Sequence, residues 1–320
     1  MKRLLALAAT VALAGCAVQG PVPQSLVTDP GRLPDAPLAV QVSGLGPCND
    51  ASDRTIHLSP HEPVAILVHG CNGSAGRFRA LAEVLAFHGQ QAVCFAYDDR
   101  KSLMRSSGQL TRAIDQLSGM IQTPQITVIG HSMGGLVARK ALVGERPDAL
   151  LKPQLDVKLV TVSAPFAGIA SARMCAVPVL RVATLGLNDL ICWLISGENW
   201  FEITHASEFI RSPGTLVPQV HGHLKVVTDE RNTCRRQFHD GGCIVDDYIF
   251  SLAEQRHSPV SDNPNTTEVE VAAGHVEIVG EAGVTPRKLI AVLQREGVVR
   301  FTPPERRTAF QRLLARLYGQ

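Results

Sequence analysis

Ile126-Thr127-Val128-Ile129-Gly130-His131-Ser132-Met133-Gly134-Gly135 is the stretch that decides the fold: an apolar, β-branched run, then Gly-His-Ser-Met-Gly, then helical spacing through Leu136, Val137, Lys140 and Ala141. A buried strand that turns on one residue into a helix is the setting in which G-x-S-x-G carries chemistry. Gly130 and Gly134 suit a turn packed too closely for a Cβ, with the helix expected to open at Leu136. Ser132 then sits at the tip in a strained conformation with its Oγ presented. The Met133 N–H lies at a helix N-terminus, where free amides stabilise negative charge.

Outward from this turn, strand-like and helix-like segments alternate. Strands are expected at 63–68, 91–97, 126–129, 157–162, 224–228 and 267–272, and helices at 78–87 and 108–121. This alternation predicts an α/β fold with a mostly parallel central sheet and helices on both faces. Functional sites of such sheets form outside the carboxyl ends of the strands, where Ser132 and His69-Gly70 fall. The alternation lapses between 166 and 217, a segment holding Trp193 and Trp200 among many leucines and isoleucines; it is expected to be a helical cap or lid. The segment 304–320 reads as an amphipathic helix, with Phe310, Leu313, Leu314 and Leu317 on one side, expected to dock on the domain.

The chain's start is a separate signal. Lys2 and Arg3 precede a short apolar run, and Leu13-Ala14-Gly15-Cys16 resembles a bacterial lipobox. That resemblance implies residues 1–16 as a lipoprotein signal with lipidation of Cys16. Ala17 in place of aspartate points to the outer membrane of the cell envelope. Residues 17–37 read as a tether, leaving 38–303 as one large domain. Formal charge is small, 31 Lys+Arg against 29 Asp+Glu, so no basic surface argues for a nucleic-acid partner.

Eight cysteines occur. An exported compartment permits disulfides, and the expected pairs are Cys234–Cys243, Cys175–Cys192 and Cys71–Cys94. No clustered Cys/His spacing suggests a metal site.

A serine hydroxyl needs a base, and the base needs an orienting acid. His275 follows the alternating strand at 267–272 and small residues, and is the expected base ahead of His221, His223, His239 and His257. The loop after the strand at 224–228 offers Asp229, Glu230, Asp240, Asp246 and Asp247. Backbone donors for an oxyanion are expected at Met133 and, after the close approach that Gly70 permits, at Cys71.

His69-Gly70, Gly130-His131-Ser132-Met133-Gly134 and His275 together resemble the α/β-hydrolase superfamily, in its lipase and esterase branches, over roughly residues 60–295. The resemblance implies a Ser-His-Asp mechanism on ester substrates, lipid or small-molecule, without a cofactor. Asp246-Asp247-Tyr248 resembles the Asp-Gly segment that carries the acid in that family, with Tyr248 where glycine is usual; it ranks Asp247 first, then Asp246 and Asp240. Acyl transfer, thioester or amide cleavage on the same residues remains open, as does a non-catalytic lipid- or protein-binding role.

Overall fold

Runs of Val, Ile and Leu with no polar alternation belong in a sheet covered on both faces, and they build the centre of this protein. The computed structural model describes residues 36–145, 151–170, 197–199 and 201–319. The expected lipidation at Cys16, the tether to residue 35, Trp193, Trp200, the Cys175–Cys192 pair and most of the expected cap lie outside the described residues.

The strands are β1 (Leu38–Val40), β2 (Leu45–Gly46), β3 (Ile56–Leu58), β4 (Val64–Val68), β5 (Gln91–Phe95), β6 (Gln125–His131), β7 (Asp156–Val162), β8 (Val220–Asp229), β9 (Cys234–Gln237), β10 (Cys243–Asp246) and β11 (Thr266–Ala272). Seven form one sheet in the order β11-β8-β7-β6-β4-β5-β2. All neighbours in it are parallel except the edge strand β2, which runs antiparallel to β5. The pairs β1–β3 and β9–β10 stand apart as two small antiparallel ribbons.

Successive strand residues point to opposite faces. Thus Ile66, Val68 and Val128 pack on one side with α2 (Leu103–Ser118) and α3 (Met133–Ala141). Leu67, Ile129 and Val160 pack on the other with α1 (Arg79–Phe87), α4 (Arg287–Arg295) and α5 (Arg307–Tyr318). The terminal helix α5 docks as expected: Phe310, Leu313 and Leu314 are buried, and the Phe310 ring lies 5.1 Å from that of Phe87. Burying side chains of this size stabilises by about 1.5–3 kcal/mol each.

Two boundaries differ from the sequence reading for local reasons. Helix α2 begins at Leu103 rather than 108, because Ser102 caps it and Glu202 accepts the Leu103 N–H at 2.5 Å. Helix α3 begins at Met133 rather than Leu136: glycines 134 and 135 are poor helix formers in isolation, but here their missing Cβ atoms let the first turn press against the sheet.

Cys234–Cys243 closes the β9–β10 hairpin as expected. Cys94 is joined to Cys48, not to Cys71. The cause is the β2–β5 pairing, in which Gly46 lies opposite Cys94 and so delivers Cys48 to it. Cys71 is itself disulfide-bonded. Among the described residues no cysteine is free, no helix is long and apolar enough to cross a membrane, and no cluster of three or more His, Cys, Asp or Glu could hold a metal ion.

Candidate active site

The carboxyl ends of β4, β6, β7, β8 and β11 bring five short segments together. After β6 the backbone turns on Ser132, which has φ 56° and ψ −128°. A positive φ in a non-glycine residue is strained and persists only where the surroundings enforce it. Here the Ser132 N–H donates to Val162 O at 2.8 Å, and its carbonyl accepts from Gly135 N at 2.9 Å. The flanking glycines are obligatory. A Cβ on Gly130 would lie 2.4 Å from Gly134 O, and one on Gly134 would lie 2.3 Å from both Val68 O and His69 O.

The loop after β4 presses on the same residue. A Cβ on Gly70 would sit 2.9 Å from Ser132 Cβ and 3.5 Å from Ser132 Oγ, so glycine is what lets residues 70 and 71 approach the serine. Asn72 takes a positive φ of 52°, and Gly73 N closes the turn onto Gly70 O at 3.1 Å. His69 is buried under the Tyr97 ring at 4.4 Å, and the Tyr97 hydroxyl donates to His69 O at 2.8 Å. Burial holds the His69 imidazole below its ordinary range and the Tyr97 phenol well above.

His275 arrives from the turn after β11. Its carbonyl accepts from His131 Nε2 at 3.0 Å, and the two imidazoles lie 4.8 Å apart, which sets His275 beside the serine turn. Burial, and then the neighbouring His275, hold the His131 imidazole well below its ordinary range. The Phe250 ring meets the His275 ring edge-on at 4.8 Å.

The carboxylate at His275 is Glu230. The Nδ1–H donates to Glu230 Oε1 at 3.0 Å. The sequence reading named Glu230 only as one carboxylate of the loop and ranked Asp247 first; the structure reverses that order. Strand β8 stops at Asp229, so residue 230 is the first side chain beyond the sheet, at the end of the strand beside β7. Asp247 is buried too, but it binds backbone: it accepts from Val276 N at 3.0 Å and Glu277 N at 2.9 Å, and its own carbonyl accepts from His275 N at 2.9 Å. It clamps the loop that carries His275. Asp246 and Asp240 are exposed and accept local N–H groups, from Tyr248 and Gly242, both at 3.0 Å. Asp229 pairs with Arg231, which holds its carboxyl at about 2.

Glu230 is fully surrounded by donors. Oε2 accepts from Ile249 N at 2.6 Å and Phe250 N at 2.7 Å. Oε1 accepts from Ser163 Oγ at 2.8 Å and Thr228 Oγ1 at 2.9 Å, besides His275. Burial pushes this carboxyl upward, but the His275 hydrogen bond and charge with the Phe250 and Ile249 amides outweigh it and hold it below the ordinary glutamate range. For Asp247 burial wins over the Glu277 and Val276 amides, and its carboxyl is raised. Ser163, just past β7, also stands at positive φ, 49°, with its Oγ 2.9 Å from His275 Nδ1. Sequence reasoning gave it no role, since nothing in Ser163-Ala164-Pro165 marks a site residue. Of the competing histidines, His223 is enclosed between Thr161 and Thr266 in the sheet, and His221 and His239 are exposed.

The flanks of the 166–217 segment that are described fasten onto the core helices. Glu202 caps α2, Arg139 and Lys140 of α3 donate to the carbonyls of Pro213, Gly214 and Ser212, and Asn199 donates to Asp99 O at 2.6 Å.

Comparisons with known proteins agree with this architecture. Residues 60–173 match the family described as the PGAP1-like alpha/beta domain. The mature form of the Bacillus licheniformis lipase BlEst2 superposes with a TM-score of 0.50 at 14% identity, covering 78% of this chain and 96% of that one. The propeptide form of the same lipase gives 0.51 at 13% identity, covering 81% of this chain and 54% of that one. No curated protein matches the sequence. The fold is that of the α/β-hydrolase superfamily.

Proposed function

We propose that the protein is a serine hydrolase that cleaves carboxylic esters, with Ser132 as nucleophile, His275 as base and Glu230 as the acid that orients it. The observation that carries the reading is the Glu230 Oε1–His275 Nδ1 hydrogen bond of 3.0 Å behind a serine held at φ 56°. With Nδ1 protonated and bonded to a carboxylate, Nε2 is left unprotonated and able to accept the serine proton. The fold by itself would not assign the chemistry. The arrangement of Ser132, His275 and Glu230 is what supports it.

In the proposed reaction Ser132 Oγ bonds to the ester carbonyl carbon while its proton passes to His275 Nε2. The carbonyl oxygen becomes an oxyanion, received by the Met133 and Cys71 N–H groups at the N-terminus of α3 and in the Gly70 loop. Collapse breaks the bond to the alcohol oxygen, which takes the proton from Nε2. Water then gives a proton to Nε2 as its oxygen bonds to the acyl carbon; the bond from that carbon to Ser132 Oγ breaks, Oγ takes the proton back from Nε2, and the acid leaves. Glu230 stays ionised throughout, as its donors favour. A carboxylate at His275 Nδ1 favours this reading over a non-catalytic lipid- or protein-binding role.

The test is turnover of p-nitrophenyl acetate, butyrate and palmitate by the wild type and Ser132→Ala, with labelling by a fluorophosphonate. Ser132-dependent hydrolysis and labelling are expected. Labelling that persists in Ser132→Ala overturns the assignment, and labelling with no hydrolysis of any ester redirects it to acyl transfer. We further propose that Cys16 is lipidated and tethers the enzyme to the envelope, on the strength of Leu13-Ala14-Gly15-Cys16. Metabolic incorporation of a radiolabelled fatty acid, abolished by Cys16→Ala, is the expected result.

A further inference from the structure

The group that the reaction above leaves unused is Ser163. It is fully buried, and its hydroxyl stands 2.9 Å from His275 Nδ1, 2.8 Å from Glu230 Oε1 and 2.7 Å from Thr228 Oγ1. With the 3.0 Å Glu230–His275 bond, the three atoms Oγ, Nδ1 and Oε1 form a nearly equilateral triangle. Gln255 donates through Nε2 to Thr228 O and accepts the Thr228 N–H on Oε1, which fixes its amide. The Thr228 hydroxyl can give its proton to Gln255 Oε1, Glu230 Oε1 or Ser163 Oγ. In each case Glu230 Oε1 is left as an acceptor facing the Ser163 hydroxyl.

We infer that Ser163 is a positioning residue for the His275–Glu230 pair: its hydroxyl donates to the carboxylate while its oxygen shares the Nδ1–H. The inference rests on the serine-hydrolase reading of the site. Its chemistry follows from the cycle. When Nε2 takes the serine proton the imidazole becomes a cation, and its Nδ1–H becomes a stronger donor. A second acceptor beside Glu230, itself anchored to the carboxylate, keeps the ring in one plane as the charge appears and disappears. Phe250 packs edge-on at 4.8 Å from the same ring and limits its swing further. The backbone is set for this task. Ser163 holds φ 49° while its N–H stays bonded to Val226 O at 2.9 Å, so the residue leaves the strand pairing intact and turns its side chain to the pair. A serine in relaxed extended backbone would continue the strand instead.

Ser163→Gly is the discriminating variant, because glycine accepts the positive φ without a side chain. The full-length variant is expected to fold with a thermal midpoint close to the wild type. On p-nitrophenyl butyrate kcat should fall about 10- to 100-fold with KM within twofold, as for a group acting on the chemical step. In the Glu230→Gln background the same change should add less than a threefold loss, since two residues serving one function are not additive. A kcat within threefold of wild type, a rise in KM in place of the kcat loss, or an equal factor in both backgrounds overturns the inference. A readout independent of turnover is the low-field proton resonance of His275 Nδ1–H, assigned by its loss in His275→Gln. It should broaden by faster solvent exchange in Ser163→Gly, and an unchanged resonance also overturns the inference. Absence of Ser132-dependent turnover in the wild type, with the resonance broadened as expected, instead overturns only the hydrolase reading.

Discussion

Glu230→Gln is the sharpest perturbation of the site, because it changes no shape and one charge. The carboxylate has five donors: three at Oε1 and two backbone N–H groups at Oε2. Glutamine brings one acceptor and one NH₂. The Ile249 and Phe250 amides cannot become acceptors, so the glutamine oxygen must turn to them. Its NH₂ then faces Ser163, Thr228 and His275. Hydroxyls can rotate to accept, and the imidazole can respond only by moving its proton from Nδ1 to Nε2. That is the wrong tautomer, with the proton on the nitrogen that must receive one from Ser132. In a serine protease the matching Asp→Asn change lowers kcat by about 10⁴, which at 1.36 kcal/mol per decade is about 5.4 kcal/mol of lost transition-state stabilisation. Single-turnover and steady-state hydrolysis of p-nitrophenyl butyrate measures it, with circular dichroism to show that the fold is retained. Asp247→Asn is the control, and should lose far less rate while lowering stability through its weakened hold on Val276 and Glu277. If Glu230→Gln keeps a tenth or more of the activity while Asp247→Asn loses three decades, the reasoning about Nδ1 is refuted.

Two other outcomes are expected. Gly134→Ala would put a Cβ 2.3 Å from two backbone carbonyls that cannot withdraw, Val68 O and His69 O; a loss of about 4 kcal/mol or more in urea unfolding is expected, and a near-native midpoint would contradict the close packing of the turn. The second concerns acid. His223 is pushed down to about 3, by burial first and then by the charges of Arg139 and Lys225. The unfolded chain therefore binds this proton near pH 6.5 while the folded chain does not. Its contribution is complete above pH 6.5 and drains at about 1.4 kcal/mol per unit as pH falls toward 3, or about 2 kcal/mol by pH 5. In His223→Gln the slope of stability against pH between 4 and 6 should fall by one proton; an unaltered slope would show that His223 titrates normally.

What was legible in the sequence was whatever chemistry is encoded locally. Ser132 declared itself through a strand, two spaced glycines and a helix within ten residues, and His275 through the alternating strand just before it. The carboxylate did not. Nothing near Glu230 distinguishes it from Asp229 or Asp247; what selects it is the residue at which β8 stops and the alignment of that end with Ser163 just past β7 and the turn after β11. Those are long-range facts of register. Asp247 ranks first on the resemblance of Asp246-Asp247-Tyr248, and it is buried near His275, but its carboxylate holds the Val276 and Glu277 amides. The expected Cys71–Cys94 pair fails for a similar reason, since the two-residue edge strand Leu45–Gly46 that carries Cys48 to Cys94 is too short to leave a periodic pattern.

The β9–β10 ribbon stands between the two carboxylates that matter, with Glu230 before its first strand and Asp247 after its last. Cys234–Cys243 closes it, and Thr233 ties the two ends together by bonds to Glu230 O and from Asp247 N. At the tip, Gly241 is exposed and a side chain there would meet nothing within 4 Å. The ribbon is thus a port in the architecture, with its sockets fixed and its outer end free. A peptide tag, a surface-coupling handle or a whole guest domain spliced at Gly241 and Gly242 would be carried on the far end of a ribbon whose base is closed by the disulfide.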